Sequence, residues 1–194
     1  MPRIGLTPDR VVAEAAAVAD EVGLDRLTLA AVAQRFGVSL PSLYKHVHGL
    51  EGLRRDLAVR SVRELTAHLS AATVGVSGRE ALRGIATAYR RYALAHPGRC
   101  AASVRAPAAG DAEHEAAARD AVGVLLAVLA GCGIAGDDAI DAIRLLRASL
   151  HGFATLEAAG GFGLPQSVDA TYARLVDALH AAFTTWAATP AGRR

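Results

Sequence analysis

The sequence predicts an all-α fold, and three observations lead to that prediction. Hydrophobic residues make up 52% of the chain but aromatic residues only 5%, and the good helix formers Ala and Leu are abundant. Apolar residues recur at spacings of three and four rather than alternating as they do in strands. Clusters of Gly and Pro divide the chain into segments of helical length. We therefore expect about nine helices and no sheet.

Two short helical patterns meet at a Gly-Val-Ser sequence, residues 37–39. Thr28 is a natural N-cap for the first helix, because its hydroxyl can accept a backbone N–H. Gly37 follows the helix. Glycine adopts the left-handed backbone conformation that ends a helix at little energetic cost, because it has no Cβ. The apolar stripe between Thr28 and Gly37 consists of Leu29, Val32, Ala33 and Phe36.

The second helical pattern is short and has two different faces. Ser39 is placed to cap it, and Pro41 is tolerated in its first turn. Leu43 and Val47 supply an inner apolar face at i, i+4 spacing. The outer face mixes hydroxyl, cationic and aromatic groups that suit phosphates and base edges in a major groove: Leu40, Ser42, Tyr44, Lys45 and His48. The two patterns predict a helix-turn-helix that reads DNA.

The charge distribution agrees with that prediction, although the whole chain carries only +2. Residues 26–63 hold seven basic and two acidic side chains, whereas residues 1–25 hold two basic and five acidic ones. Residues 64–194 carry twelve of each. The basic excess coincides with the motif, so we expect this end of the chain to approach a polyanion.

The segment LTLAAVAQRFGVSLPSLYKHV, residues 27–47, resembles the DNA-binding domain of the tetracycline-repressor (TetR, AcrR-like) family of bacterial regulators. The family pattern Leu-Tyr-x-His is present at residues 43–46. The resemblance implies phosphate contacts by Thr28, Tyr44 and His46, and base-edge contacts by Leu40, Pro41, Ser42 and Lys45. Many relatives carry Lys at the start of the fourth helix, where this chain has Leu50, so Arg54 or Arg55 is the candidate replacement.

The resemblance also implies two domains. Residues 1–49 would form the helix-turn-helix domain, with a first helix from Pro8 to Val22 as its brace. Residues 50–194 would form a helical bundle that binds an effector and dimerises. A fourth helix over about residues 50–72 would connect them. Both parts are long enough to bury a core.

Gly, Pro and capping residues place the remaining helices at about residues 79–95, 99–104, 111–129, 137–158 and 168–186. Asp111, Glu113 and Glu115 stand at the start of the seventh helix, where exposed N–H groups and the helix dipole favour negative charge. With His114 beside them, the same residues allow a metal site. Capping is the interpretation that we favour.

The eighth and ninth helices carry more apolar surface than one partner needs, which favours a four-helix interface between two copies. The alternative is that their apolar side chains close the core of the single chain. The residues that we assign to a homodimer interface are Ile143, Leu146, Leu150, Tyr172, Leu175, Leu179 and Phe183.

An effector pocket follows from the resemblance alone. Residues 92–105 and the His151-Gly152 pair are similar to a subgroup of the family with a WHG-like C-terminal domain. A buried Tyr or His is also a common satisfied core residue, so each assignment has that alternative. The candidate lining residues are Tyr89, Tyr92, His96, Cys100, Leu126, His151 and Phe153.

Other kinds of function find little support. No nucleophile, acid–base pair or phosphate loop has a spacing that demands chemistry, so we expect neither an enzyme nor a cofactor. His46 and His48 point in different directions on a helix, so we expect no metal site there. Cys100 and Cys132 are expected as core or pocket residues, with a redox pair as the alternative. No signal peptide or membrane span is recognised, and a cytoplasmic protein is expected.

We therefore predict a dimeric DNA-binding regulator, a repressor that a small-molecule effector releases from a palindromic operator. The alternative is a helical adaptor that has lost DNA recognition. Leu50 is the feature that favours this alternative.

Overall fold

The computed structural model describes residues 6–187, and its regular elements within that range are all helical. A short 3₁₀ turn at Leu24–Arg26 follows the first helix. The nine α-helices of the described range are α1 Pro8–Val22, α2 Leu29–Phe36, α3 Leu40–Leu43, α4 Gly49–Ala71, α5 Gly78–Ala95, α6 Pro97–Ala102, α7 Ala112–Ala130, α8 Asp137–Ala158 and α9 Val168–Ala187. The all-α prediction is confirmed.

The chain folds as two compact units. The first unit comprises residues up to Glu64 together with His96–Ala118, and the second comprises Leu65–Ala95 and the chain from Arg119 onward. This division does not follow the sequence boundary placed at residue 49, because α6 returns to pack on α1. The assignment of DNA binding to residues 1–49 and effector binding to residues 50–194 stays a prediction.

The first unit is built around one apolar core. Val11 and Ala15 of α1, Val32 of α2, Leu43 of α3 and Leu57 of α4 are all fully buried there. Ala102 of α6 belongs to the same cluster. Burial of these side chains fixes the orientation of the two helices of the predicted motif, since each core residue occupies the inner face of its own helix.

In the second unit α5, α8 and α9 pack on one another. The phenol of Tyr172 on α9 donates a hydrogen bond of 2.7 Å to the Ala86 carbonyl of α5. The guanidinium of Arg90 on α5 lies 4.9 Å from the centre of the Tyr172 ring and pairs with Glu157 of α8 at 2.5 Å. The fully buried side chains of this unit include Leu82, Ile85, Leu146, Leu150 and Phe183.

The largest difference from the sequence patterns is at α3, where regular helix ends at Leu43 although the pattern placed residues up to His48 on that helix. The other helix bounds agree to within two residues, and among them α6 begins at Pro97 rather than at Arg99. Pro97 and Gly98 look like a break in the sequence, but Pro lacks only an N–H that the first turn of a helix leaves unpaired. Among residues 6–187, no helix has the length and apolar character that crossing a membrane requires.

Candidate nucleic-acid interface

The helix-turn-helix begins with a capped helix. The Thr28 hydroxyl accepts a hydrogen bond of 3.1 Å from the Ala31 N–H at the start of α2. At the other end Gly37 adopts a left-handed φ of 64°, and the Val38 N–H bonds the Ala33 carbonyl at 3.1 Å. The predicted cap and turn are both present, so the chain leaves α2 with its last carbonyls satisfied.

The second helix of the motif is only one turn long. Regular helix covers Leu40–Leu43, and the Val47 N–H still reaches the Leu43 carbonyl at 3.1 Å. Ser39 occupies the N-cap position, but its hydroxyl bonds the Ser42 hydroxyl at 3.0 Å rather than capping the backbone. The expected side-chain cap is therefore replaced by a pair of hydroxyl groups.

Residues 40–48, which comprise α3 and the turn after it, separate into two faces as the sequence pattern predicts. Leu43 and Val47 are buried. Tyr44 is 56% exposed, and Leu40, Pro41, Lys45 and His48 are also exposed. Ser42 and His46 are half-buried, and Thr28 is exposed at the start of α2. The resulting surface offers one cation, two imidazoles, hydroxyl groups and an aromatic ring within a few residues of each other.

Arg35 braces the motif against α1. Its Nε lies 2.8 Å from Glu14 Oε1, and its Nη1 lies 2.7 Å from Glu21 Oε2. These hydrogen bonds raise the pKa of Arg35, with Glu21 contributing more than Glu14. The brace was not predicted from the sequence. The opposite net charges of residues 1–25 and 26–63 were the signal that could have indicated it.

The start of α4 differs from the expectation that Arg54 or Arg55 contacts a DNA phosphate. Leu50 packs against the core of the first unit. Arg55 is held by three carboxylates: Asp111, which bonds its Nε at 2.7 Å, Glu113, which bonds its Nη1 at 2.6 Å, and Asp56. The Arg55 hydrogen bonds hold the pKa of the Asp111 carboxyl well below its usual range. Arg55 is therefore committed to a structural network, whereas Arg54 pairs only with Glu51 among the described side chains, at 3.3 Å.

The comparisons with known proteins agree with this geometry. A family model described as the C-terminal domain of tetracyclin repressor-like proteins matches residues 82–179. The uncharacterized HTH-type transcriptional regulator Rv0681 of Mycobacterium tuberculosis is 38% identical over 156 residues, which cover 80% of this chain and 72% of that protein. The uncharacterized HTH-type transcriptional regulator YobS of Bacillus subtilis is 35% identical over 162 residues, 83% of this chain and 84% of that protein. This chain belongs to the tetracycline-repressor family.

The fold of the family extends over most of the chain. The solved structure of a tetracycline repressor variant from Acinetobacter baumannii, in complex with minocycline, superposes with a TM-score of 0.73 at 22% identity. The match covers 95% of this chain and 100% of that one. As a member of the tetracycline-repressor family, the protein is a DNA-binding transcriptional regulator.

The residues expected around an effector are divided between the two units. His96 and Cys100 belong to the first unit, where His96 Nδ1 lies 3.2 Å from Asp20 Oδ2 and Cys100 is buried. In the second unit the Tyr89 hydroxyl lies 2.9 Å from His151 Nδ1. Burial, and to a lesser extent the positive charge of Arg147, lowers the pKa of His151. Tyr92 is buried, and Leu126 and Phe153 are half-buried in the same unit.

Most of the residues assigned to a dimer interface lie in the core of the single chain. Five of the seven, namely Ile143, Leu146, Leu150, Tyr172 and Phe183, are buried. Leu175 and Leu179 are half-buried. The sequence pattern identified the most apolar face of each of these two helices. In the structure α8 and α9 pack on α5 and on each other. The alternative interpretation, closure of the monomer core, therefore holds for these five residues.

The acidic start of α7 has a structural explanation. Asp111 Oδ1 accepts a hydrogen bond of 3.1 Å from the His114 N–H, which caps the helix as expected. Glu115 accepts the Gly110 N–H at 3.2 Å. Within the described range, no cluster of three or more His, Cys, Asp or Glu side chains has a metal-binding arrangement. Cys100 and Cys132 are not joined by a disulfide.

Proposed function

We propose that this protein is a homodimeric repressor that a small-molecule effector releases from a palindromic operator in the cytoplasm. The observation that carries the proposal is the two-faced segment formed by α3 and the turn that follows it, residues 40–48. Its inner residues Leu43 and Val47 are buried, while Tyr44 and Lys45 face solvent beside a capped α2. A short helix with a buried anchor and a polar, cationic outer face suits insertion into a major groove.

The proposed DNA contacts are those of the outer face and of the α2 cap. The Thr28 hydroxyl uses a lone pair to cap α2, so its proton remains available for a phosphate oxygen. Lys45 is exposed and takes part in no ion pair with the described residues. The full set of proposed contacts is Thr28, Leu40, Pro41, Ser42, Tyr44, Lys45 and His46.

Dimerisation is proposed through the outer faces of α8 and α9. Leu145 and Leu156 of α8 are 51% and 54% exposed, and Ala148 and Gly152 fall on the same stripe between them. On α9, Leu175 and Leu179 are half-buried and leave part of their apolar surface uncovered. Two copies that pair these stripes would form a four-helix interface, and a dimer matches the two half-sites of a palindrome.

The proposed effector site is in the second unit. The Tyr89–His151 pair offers a polar anchor, and Tyr92, Leu126 and Phe153 offer apolar surface. Solved relatives of the same fold include a tetracycline repressor variant in complex with minocycline. An effector that binds one arrangement of the protein more tightly would shift the population toward it and change the spacing of the two recognition helices.

The adaptor alternative has one observation in its favour. Leu50 is packed into the core of the first unit, so the first turn of α4 offers no lysine to a phosphate. An adaptor without DNA recognition would not need the exposed Tyr44 and Lys45 surface. An enzyme activity is not part of the proposal, because members of the family are transcriptional regulators.

A mobility-shift experiment over a salt series tests the proposal. The purified protein is mixed with DNA from upstream of its own gene and with fragments selected from its genome. A specific complex of two protomers per site, weakened by salt, is the expected result, because phosphate contacts release counterions. Selection that enriches no sequence would favour the adaptor. Effectors are then identified as compounds that dissociate the complex.

A further inference from the structure

The carboxylate of Glu51, in the first turn of α4, is contacted by two arginines. Arg54 Nη1 lies 3.3 Å from its Oε1, and Arg105 Nη1 lies 3.2 Å from its Oε2. Arg54 is a neighbour on the same helix, whereas Arg105 comes from the segment between α6 and α7. Two guanidinium groups share one carboxylate, so the cluster retains a net positive charge.

This cluster follows the recognition surface closely in the sequence and belongs to the same unit. Glu51 follows the exposed His48 by three residues and Lys45 by six. All of these residues belong to the first unit. Arg105 and Glu51 are both exposed, so the guanidinium is accessible to solvent at the end of α4 that adjoins the motif.

Two other arginines of the first unit are held by carboxylates of their own. Arg35 is paired with Glu14 and Glu21, and Arg55 is held by Asp111 and Glu113. Leu50 supplies no charge. A phosphate that approaches the start of α4 would therefore meet the shared Arg54–Glu51–Arg105 cluster, in which the positive charge exceeds the negative.

We propose that Arg105 is a DNA-phosphate contact, brought to the recognition end of α4 from the segment after α6. The inference rests on DNA binding by the motif. Arg105 offers a planar guanidinium that can bond a phosphate oxygen while a second edge keeps its contact with Glu51. Glu51 lies close to the same phosphate and opposes its approach. Removal of the arginine and removal of the carboxylate charge should therefore change affinity in opposite directions.

The second unit provides a matched control. Asp177 is contacted by Arg79 at 3.1 Å and by Arg83 at 2.8 Å, so here too two arginines share one carboxylate. Arg79→Ala and Asp177→Asn make the same charge changes as Arg105→Ala and Glu51→Gln. They do so in the unit that does not contain the helix-turn-helix.

The experiment measures dissociation constants for these four variants and the wild-type protein over a salt series. The probe is a labelled duplex that wild-type protein has enriched from a random pool, so a wild type that enriches nothing contradicts the DNA-binding function itself. Thermal unfolding of each variant shows whether it is folded at the assay temperature. If Arg105→Ala is not folded, it is replaced by Arg105→Gln, which keeps a polar group and removes the charge.

We expect Arg105→Ala to weaken binding by roughly tenfold at low salt and to reduce the salt slope by about two for a dimer, one phosphate per protomer. Glu51→Gln should strengthen binding, and the two control variants should leave the affinity and the slope unchanged. An unchanged slope in Arg105→Ala overturns the proposal. Equal weakening by Arg105→Ala and Glu51→Gln also overturns it, because this pattern belongs to an ion pair that only braces the loop.

Discussion

The carboxylate of Asp20, near the end of α1, accepts a hydrogen bond of 2.9 Å from the backbone N–H of Arg99 in the first turn of α6. The Arg99 guanidinium also lies 3.1 Å from Asp20 Oδ2. Asp20 thus caps a helix that is about eighty residues away in sequence. The contact therefore holds the start of α6 against α1 within the first unit.

Gly98 makes this contact possible, and its replacement by Ala should be strongly destabilising. A Cβ at Gly98 would lie 2.1 Å from the Ala19 carbonyl carbon and 2.2 Å from its oxygen, which are backbone atoms that cannot move alone. We expect a loss of roughly 3 kcal/mol or more in the free energy of unfolding. Chemical denaturation measures it. Gly123→Ala in α7, where a Cβ meets nothing within 4 Å, is the control and should be neutral or slightly stabilising.

Substitutions of Asp20 separate the cap from the charge. Asp20→Asn keeps an oxygen for the Arg99 N–H but loses the ionic contacts, and we expect a loss of about 1 kcal/mol. Asp20→Ala also leaves that N–H without its acceptor, and the expected loss is about 2 kcal/mol. Urea unfolding of both variants at low and high salt measures the two contributions. Equal stability of the two variants would contradict a capping role for Asp20.

Substitution of the exposed residues Tyr44 and Lys45 should remove DNA contacts without unfolding the protein. Tyr44→Ala and Lys45→Ala remove exposed groups, so we expect operator affinity to fall by roughly tenfold with little change in stability. Leu43→Ala is the contrasting variant, because Leu43 is fully buried and its truncation costs about 2 to 5 kcal/mol. Operator titration and thermal unfolding distinguish the two effects. Normal operator affinity in both surface variants would contradict the assignment of the recognition helix.

His151 should make stability depend on pH. Because its pKa is lowered from 6.5, chiefly by burial, the folded protein binds fewer protons there than the unfolded chain. The contribution of His151 to the free energy of unfolding is therefore fully present above about pH 6.5. It decreases as the pH falls from there through the lowered pKa. His151→Gln keeps a polar partner for Tyr89 but does not titrate. Urea unfolding between about pH 8 and pH 5.5 should show a smaller decrease for this variant than for the wild type.

The proposed dimer interface predicts which leucines control assembly. Leu145→Glu and Leu156→Glu place a charge in the stripe of α8, so we expect monomers by analytical ultracentrifugation and a loss of specific operator binding. Leu164 is 79% exposed in the loop before α9 and is not part of the stripe. Leu164→Glu should leave the dimer intact. A dimer that survives both α8 substitutions would place the interface elsewhere.

The local sequence predicted the elements of this fold accurately. Thr28 and Gly37 act through neighbours within four or five residues, and their roles as cap and helix end are confirmed. The predicted burial of Leu43 is also confirmed, because the periodicity of apolar residues identifies the inner face of a helix. The bounds of α1 and α8 follow in the same way from nearby capping and helix-breaking residues. These features depend on backbone geometry and on the periodicity of apolar side chains, which a single sequence displays.

The all-α class, the helix-turn-helix and its outward residues could be predicted from the local sequence, because each follows from capping residues and from the periodicity of apolar side chains. The three-dimensional structure was needed to show that Asp20 caps α6, that Asp111 holds Arg55, and that Arg105 joins Glu51. It also decided that Leu146 and Phe183 belong to the core while Leu145 faces solvent. An apolar stripe shows that a face is buried, but the partner that buries it is set by packing between distant segments.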